Sequence, residues 1–165
     1  VYWLARMVEG GEDPLFIARR MVILASEDIG NADPNALLLA TTAMQAAQLV
    51  GWPESRIILS QCAVYLACAP KSNASYLAIG AAQQLVQRTG DLPVPLHLRN
   101  APTRLMKELG HGKDYQYSHD QPGHAGDQEF LPEAISGTRL YTPGDNSREQ
   151  KWAEHLGRIW KHRYR

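Results

Sequence analysis

The sequence predicts an all-α helical bundle that carries a long irregular arm before its last helix. Three observations lead there. The stretch from Ile57 to Val86 is apolar almost all round and is interrupted only at Ala-Pro-Lys-Ser-Asn, residues 69–73. Upstream of it, apolar residues recur at helical spacing between Asp-Pro starts and Gly stops. From His111 to Asp145 no helical or strand period survives, and the helical period returns only after Ser147.

At 165 residues the chain suits one domain, long enough to bury roughly two-thirds of its unfolded surface and to fold without staples. Its 17 basic and 17 acidic residues cancel, so bulk charge does not mark a nucleic-acid binder; such a contact has to come from a local patch. Cys62 and Cys68 fall on different sides of one apolar helix, which is neither a zinc spacing nor a redox pair. Both read as buried thiols of a reducing compartment. No apolar run reaches the roughly 18 residues of a membrane span, and no signal peptide opens the chain, so a cytoplasmic location without a membrane partner is expected.

The elements follow in order. The chain opens at Val1 without a Met and already inside an amphipathic helix of Tyr2, Trp3, Leu4, Ala5, Met7 and Val8, as a fragment of something longer would. Glu9-Gly10-Gly11 closes that helix. Asp13-Pro14 starts the next, with an N-cap carboxylate and a proline at the first helical position, where its missing N–H is not needed. Leu15, Ala18, Val22, Ala25 and Ile29 share its face, and Gly30 supplies the left-handed stop. The same grammar repeats from Asp33-Pro34 through Leu37 to Val50, ending at Gly51. Trp52-Pro53 begins a further helix into the apolar stretch.

Pro70 ends that helix, because its ring clashes with the preceding turn and it has no N–H, while Ser72 or Asn73 caps the following one. A helix apolar nearly all round has to be buried. The two halves are therefore expected to pack as an antiparallel hairpin at the centre of the bundle, with the small residues Ala63 and Ala82 in tight positions. Gly90 ends the second half. Pro93 and Pro95 bias residues 91–100 away from helix, and a short helix runs from Pro102 to Leu109, stopped by Gly110. Residues 1–110 are expected to form the bundle core, and residues 111–165 an extended arm and C-terminal helix packed on the same domain. A structureless loop of that length is odd in a compact domain, so the arm is read as ordered and anchored by Tyr115, Tyr117, Phe130, Leu131, Leu140 and Tyr141. Ser147 caps the last helix, in which Trp152, Leu156, Ile159 and Trp160 share a face and Arg158, Lys161, His162, Arg163 and Arg165 make a basic end.

Between Asn35 and Gln87 only Glu54, Arg56 and Lys71 are charged. Helix faces that meet water usually carry charge, so another copy of the chain is expected to cover part of this stretch, with Leu39, Met44, Ala63 and Tyr65 as interface candidates. The alternative is an uncharged but wet surface built from Thr41, Thr42, Gln45, Gln48, Ser60 and Gln61. Further on, Arg99, Arg104, Lys107 and Lys113 lie beside Tyr115 and Tyr117, a mixture of cations and aromatic faces that suits single-stranded nucleic acid. Glu108 and Asp114 dilute that charge, and an ordinary solvated face is the alternative.

The sequence holds no Gly-x-x-x-x-Gly-Lys-Ser/Thr phosphate loop, no His-Glu-x-x-His, no Gly-x-Ser-x-Gly and no paired Cys motif. What remains for chemistry is the loop of His111, Asp114, His119, Asp120, His124 and Asp127. Imidazoles and carboxylates can bind zinc or iron, but such a site needs fixed geometry and oriented histidines, which a glycine-flanked loop does not promise. His97, among Pro95, Leu96 and Leu98, reads as a hydrogen-bonded structural residue.

Several segments together resemble one family: Glu12-Asp-Pro-Leu-Phe-Ile-Ala-Arg-Arg20, Ala25-Ser-Glu-Asp-Ile-Gly30, Ala69-Pro-Lys-Ser-Asn73, Pro93-Val-Pro-Leu-His-Leu-Arg-Asn-Ala-Pro-Thr103 and Leu131-Pro132. They are similar to the C-terminal region of the replication-associated recombination protein A (MgsA) family of AAA+ ATPases, related to the Werner-helicase-interacting protein. The resemblance implies a helical domain like the C-terminal collar of clamp-loader subunits, and a non-catalytic role in assembling a tetramer. It also implies a parent protein that binds DNA and single-strand-binding protein at stalled replication forks. ATP and Mg would belong to that parent's ATPase domain, upstream of this chain, and no cofactor is expected here. Two other classes stay open: a small metal-dependent enzyme built on His111, His119 and His124, and a self-sufficient helical adaptor.

Overall fold

The structure, a computed structural model, describes residues 1–126 and 128–164; Asp127 of the His/Asp loop and Arg165 of the basic end lie outside the described residues. Among the described residues the architecture is all-α, with seven α-helices, short 3-10 and π turns and no strand. The chain divides into two compact units, one of Val1–Gly80 with Tyr141–Lys151, the other of Ala81–Leu140 with the residues from Trp152 onward.

The first unit contains α1 (Tyr2–Glu9), α2 (Pro14–Leu24), α3 (Asn35–Val50) and α4 (Ser55–Cys68), together with the beginnings of α5 (Ala74–Thr89) and of α7 (Ser147–Ile159). The Asp13 carboxylate accepts the N–H groups of Leu15 and Phe16 at 3.2 and 3.1 Å, satisfying two donors that the first turn of a helix leaves free. Past Leu24 the helix widens into a π turn over Ala25–Ile29 and stops at Gly30, whose φ is +50°. A Cβ on Gly30 would lie 2.7 Å from the Ser72 carbonyl oxygen, so both the backbone angle and the close approach require glycine. Asp33 accepts the Asn35 N–H at 3.2 Å and, with its other oxygen, the Tyr65 hydroxyl at 2.6 Å. The Trp52–Pro53 peptide is cis, and α4 begins at Ser55, beyond the predicted start. The buried Ser55 hydroxyl lies 3.1 and 2.6 Å from the Ala47 and Gly51 carbonyl oxygens at the end of α3.

At the centre, α3 packs against α2 and α4, while α4 also meets α1 and α2. The face that α3 buries is made of alanines: Ala36, Ala40, Ala43 and Ala47. The first three close one cluster with Ala25, Ile29, Cys62 and Leu66, and Ala47 joins a second with Leu4, Ile17, Ala18 and Leu59. Small side chains let the neighbouring helices come close, and the buried leucines and isoleucines contribute about 1.5–3 kcal/mol each.

Within the first unit the expected antiparallel hairpin is not seen. α4 is packed by α1, α2 and α3, whereas in the first-unit part of α5 only Ala74 is buried and Tyr76, Leu77 and Ile79 are exposed. In the turn that joins the two helices, the Lys71 ammonium donates to the Leu66 and Ala69 carbonyls at 2.8 and 2.5 Å, capping the end of α4, and the Ser72 N–H donates to the Asp28 carbonyl at 2.8 Å. The Ser72 bond ties the turn to the π turn that follows α2, while the Lys71 bonds hold it against the end of α4. Of the two cysteines only Cys62 is buried, where loss of water pushes its thiol above the usual range; Cys68 is exposed, contrary to expectation.

The second unit is organised by Glu129. Its carboxylate accepts the N–H groups of Phe130, Leu131 and Gly137, the Ser136 hydroxyl, and Nη2 of Arg163 at 2.8 and 2.7 Å. Burial works against the charge, but the Arg163 guanidinium and these donors outweigh it and hold the carboxyl well below the usual range. His97 Nε2 lies 2.9 Å from the Glu129 carbonyl oxygen, the structural role expected of it. Short 3-10 turns at Leu96–Leu98, Ser118–Asp120, Pro122–His124 and Glu133–Ile135 punctuate the irregular segment.

α6 (Arg104–Glu108) starts later than predicted, because Thr103 caps it by accepting the Met106 N–H at 3.3 Å. Of the expected anchors in this unit, Phe130 lies 5.7 Å from the Trp160 ring and Leu131 and Leu140 are half-buried, while Tyr115 and Tyr117 are exposed. Arg163 is not part of a free basic end: it sits 4.8 Å over Trp160 and is paired with Glu129. Among the described residues no helix is long and apolar enough to cross a membrane.

Candidate functional site

On α3 the usual distribution of large and small apolar residues is inverted. Its alanines face α2 and α4, and four of its larger side chains point outward: Leu38 is 67% exposed and Leu49 87%, with Leu37 and Val50 also exposed. On α4, Ile57 and Val64 are exposed in the same way. Scattered exposed leucines are ordinary, but here they accompany a stretch with almost no charge.

Leu39, Met44, Ala63 and Tyr65 are all half-buried. Met44 and Ala63 pack against the cluster of Leu4, Ile17 and Leu59, and Tyr65 packs against the other cluster while bonding Asp33. Leu39 lines a shallow groove of about 450 Å³ with Asn35, Gln61, Val64 and Tyr65. The outward residues that sequence reading missed, Leu38 and Leu49, were signalled by the alanine spacing 36, 40, 43, 47, which marks the buried seam and so the opposite face. A second groove, of about 640 Å³, runs between α1 and α4 and is lined by Leu4, Val8, Ile57 and Val64, with Glu9 and Arg56 its charged residues. The uncharged polar residues Thr41, Thr42, Gln45 and Gln48 are exposed beside the leucines, and the Thr42 hydroxyl donates to the Leu38 carbonyl at 2.9 Å.

In the second unit the basic and aromatic residues are dispersed in role. Arg99 is half-buried and its Nε donates to the Val94 carbonyl at 2.7 Å. Arg104 pairs with Glu108 at 2.8 Å on an exposed helix face, an arrangement worth only a few tenths of a kcal/mol and readily exchanged for another anion. Lys107, Lys113 and Tyr115 are exposed.

The histidine loop brings two imidazoles together without making a ligand set. The rings of His119 and His124 are 5.2 Å apart, Tyr117 lies 5.1 Å from His119, and His124 Nδ1 is 3.3 Å from the His119 carbonyl oxygen. Among the described residues no three His, Cys, Asp or Glu side chains are grouped to hold a metal ion.

Comparison with known proteins is consistent along nearly the full length. A replication-associated recombination protein A of Coxiella burnetii is 52% identical over 157 residues, which are 94% of this chain and 36% of that protein. Its namesake in Escherichia coli K12 is 46% identical over 157 residues, 94% and 35% of the two chains. An ATPase WRNIP1 of Dictyostelium discoideum is 48% identical over 143 residues, 85% of this chain and 16% of that protein. The chain therefore spans about a third of the length of the first two relatives. The family described as MgsA AAA+ ATPase C terminal matches residues 1–160, and with that match the chain belongs to this family of AAA+ ATPase C-terminal regions.

Proposed function

We propose that this chain is the oligomerisation domain of an AAA+ ATPase that acts in DNA replication, recombination and repair at stalled forks, and that its own role is non-catalytic. The observation that carries the reading is the inverted α3: its core face is closed by alanines, while Leu38 and Leu49 stand exposed in a stretch whose only charged residues are Glu54, Arg56 and Lys71. A second copy is the natural cover for such a face, since an obligate interface buries upward of roughly 2,000 Å² and resembles a core cut in half. A closed homo-oligomer, a tetramer on this reading, avoids the filaments that an open head-to-tail contact would grow.

The names of the relatives, a replication-associated recombination protein and an ATPase, support the process and the parent activity. ATP and Mg belong to the parent's ATPase module, DNA and single-strand-binding protein are partners of the whole protein, and the setting is the cytoplasm. Lys107, Lys113 and Tyr115, with Arg99 and Arg104, are the surface this domain offers to DNA.

Substitution tests the interface. Leu38→Glu and Leu49→Glu place a carboxylate where the contact would bury it, at a cost of several kcal/mol per copy, while leaving the monomer core untouched. In light scattering the double variant should shift to monomer mass with its helical circular dichroism retained. An unchanged oligomer would move the interface off this face.

A further inference from the structure

After residue 80 the chain returns to the first unit once, at Tyr141, and leaves it again at Lys151. Within this returning segment Glu149 is the only buried residue, and it is fully inaccessible to solvent. No residue of 141–151 belongs to either apolar core cluster. Its hydrogen bonds converge on one carboxylate. Glu149 accepts the Tyr141 hydroxyl and the Asn146 amide, each at 2.5 Å, and also the Ser72 hydroxyl and the Gly144 N–H. Its own N–H donates to Asn146 Oδ1 at 3.0 Å, which caps α7 one residue before the predicted Ser147. Ser72 in turn accepts the Ala74 N–H at the start of α5 and is fixed to Asp28 through its backbone.

All four donors on the carboxylate are neutral. Burial disfavours its charge, but the hydrogen bonds outweigh burial and hold the carboxyl below the usual range, so the group is a carboxylate at neutral pH. Such a network is close to all-or-none: with every donor in place the buried charge is satisfied, and with one removed it is left short of partners. The packing around it is equally unforgiving, since a Cβ on Gly144 would lie 2.8 Å from Glu149 Oε2 and 3.2 Å from Ser72 Oγ.

We propose that residues 141–149 are a detachable strap, fastened to the first unit by the Glu149 carboxylate and released as a unit when that carboxylate loses its charge or one of its donors. The strap is the conformational device of this fold, because its release frees the start of α7 while α1 to α4 keep their own core.

Hydrogen exchange read by mass spectrometry on the whole chain tests this. In Glu149→Gln, whose amide turns a donor toward the other donors, and in Tyr141→Phe and Gly144→Ala, peptides covering 141–149 and 72–76 should exchange about tenfold faster or more. Peptides covering 36–47 should keep their wild-type rates. Acceleration of all peptides together would show that Glu149 is only a global stability residue and overturn the strap, as would unchanged exchange in all three variants. If Glu149→Gln does not fold, Tyr141→Phe, which deletes one hydroxyl, decides between the same outcomes.

Discussion

Glu129 and Gly30 show how much single residues carry here. The Glu129 carboxyl is held well below its value in an unfolded chain, about 4.3, chiefly by Arg163 and backbone N–H groups acting against burial. A depressed carboxyl stabilises the fold above the unfolded value and loses that contribution as pH falls through the folded one. Glu129→Gln should therefore be less stable than wild type in urea at pH 7, with the gap narrowing below about pH 4, where the unfolded carboxyl takes up its proton, and closing only as pH falls through the depressed folded value. A gap independent of pH would mean that the ion pair with Arg163 is not what holds the segment. At Gly30, Ala should cost more than about 1 kcal/mol, read as a lowered melting temperature, because φ is +50° and the added Cβ meets a carbonyl oxygen rather than a movable side chain. Residues whose partners are local were legible in the sequence: the Asp13 cap, the stops at Gly30 and Gly51, and Pro70 all act within a few positions of themselves. The Ser72 cap on α5 was legible too, but the bonds Arg163 makes to Glu129 and Ser72 makes to Glu149 were not, since partners 34 or more residues apart leave no periodic trace.

At the level of elements, the helices stand close to their predicted bounds, but their pairing does not follow from how apolar they are. α4 looked like half of a hairpin and packs instead against α1, α2 and α3. Periodicity measures how much of a helix wants cover and not which neighbour supplies it. The Ser72 N–H, bonded to the Asp28 carbonyl, ties the turn after α4 to the π turn that follows α2. The two small residues expected in tight positions of that hairpin have different surroundings. Ala63 packs against the Leu4–Ile17–Leu59 cluster, so Ala63→Leu should overpack it and cost about 1–3 kcal/mol. Ala82 lines an open groove of about 350 Å³ with Leu85, Phe130 and Leu140, so Ala82→Leu should leave the melting temperature within about a degree or two, the effect of a few tenths of a kcal/mol. Equal losses in the two variants would restore the hairpin packing. For the candidate interface the sequence gives the stretch, through its missing charges, while the outward residues follow from the alanine seam only once α2 and α4 are seen to occupy it.

For the whole molecule, family membership and an all-α architecture are established, and self-association is the claim on which the functional reading turns. It joins the two facts that a monomer leaves unexplained, leucines exposed on α3 and a run from Asn35 to Gln87 nearly free of charge. The most direct measurement is sedimentation equilibrium of the wild-type chain across the micromolar range. The account predicts a mass that is a whole multiple of 18.4 kDa, four on the proposed assembly, maintained down to sub-micromolar concentration; a mass of one chain throughout that range would contradict it.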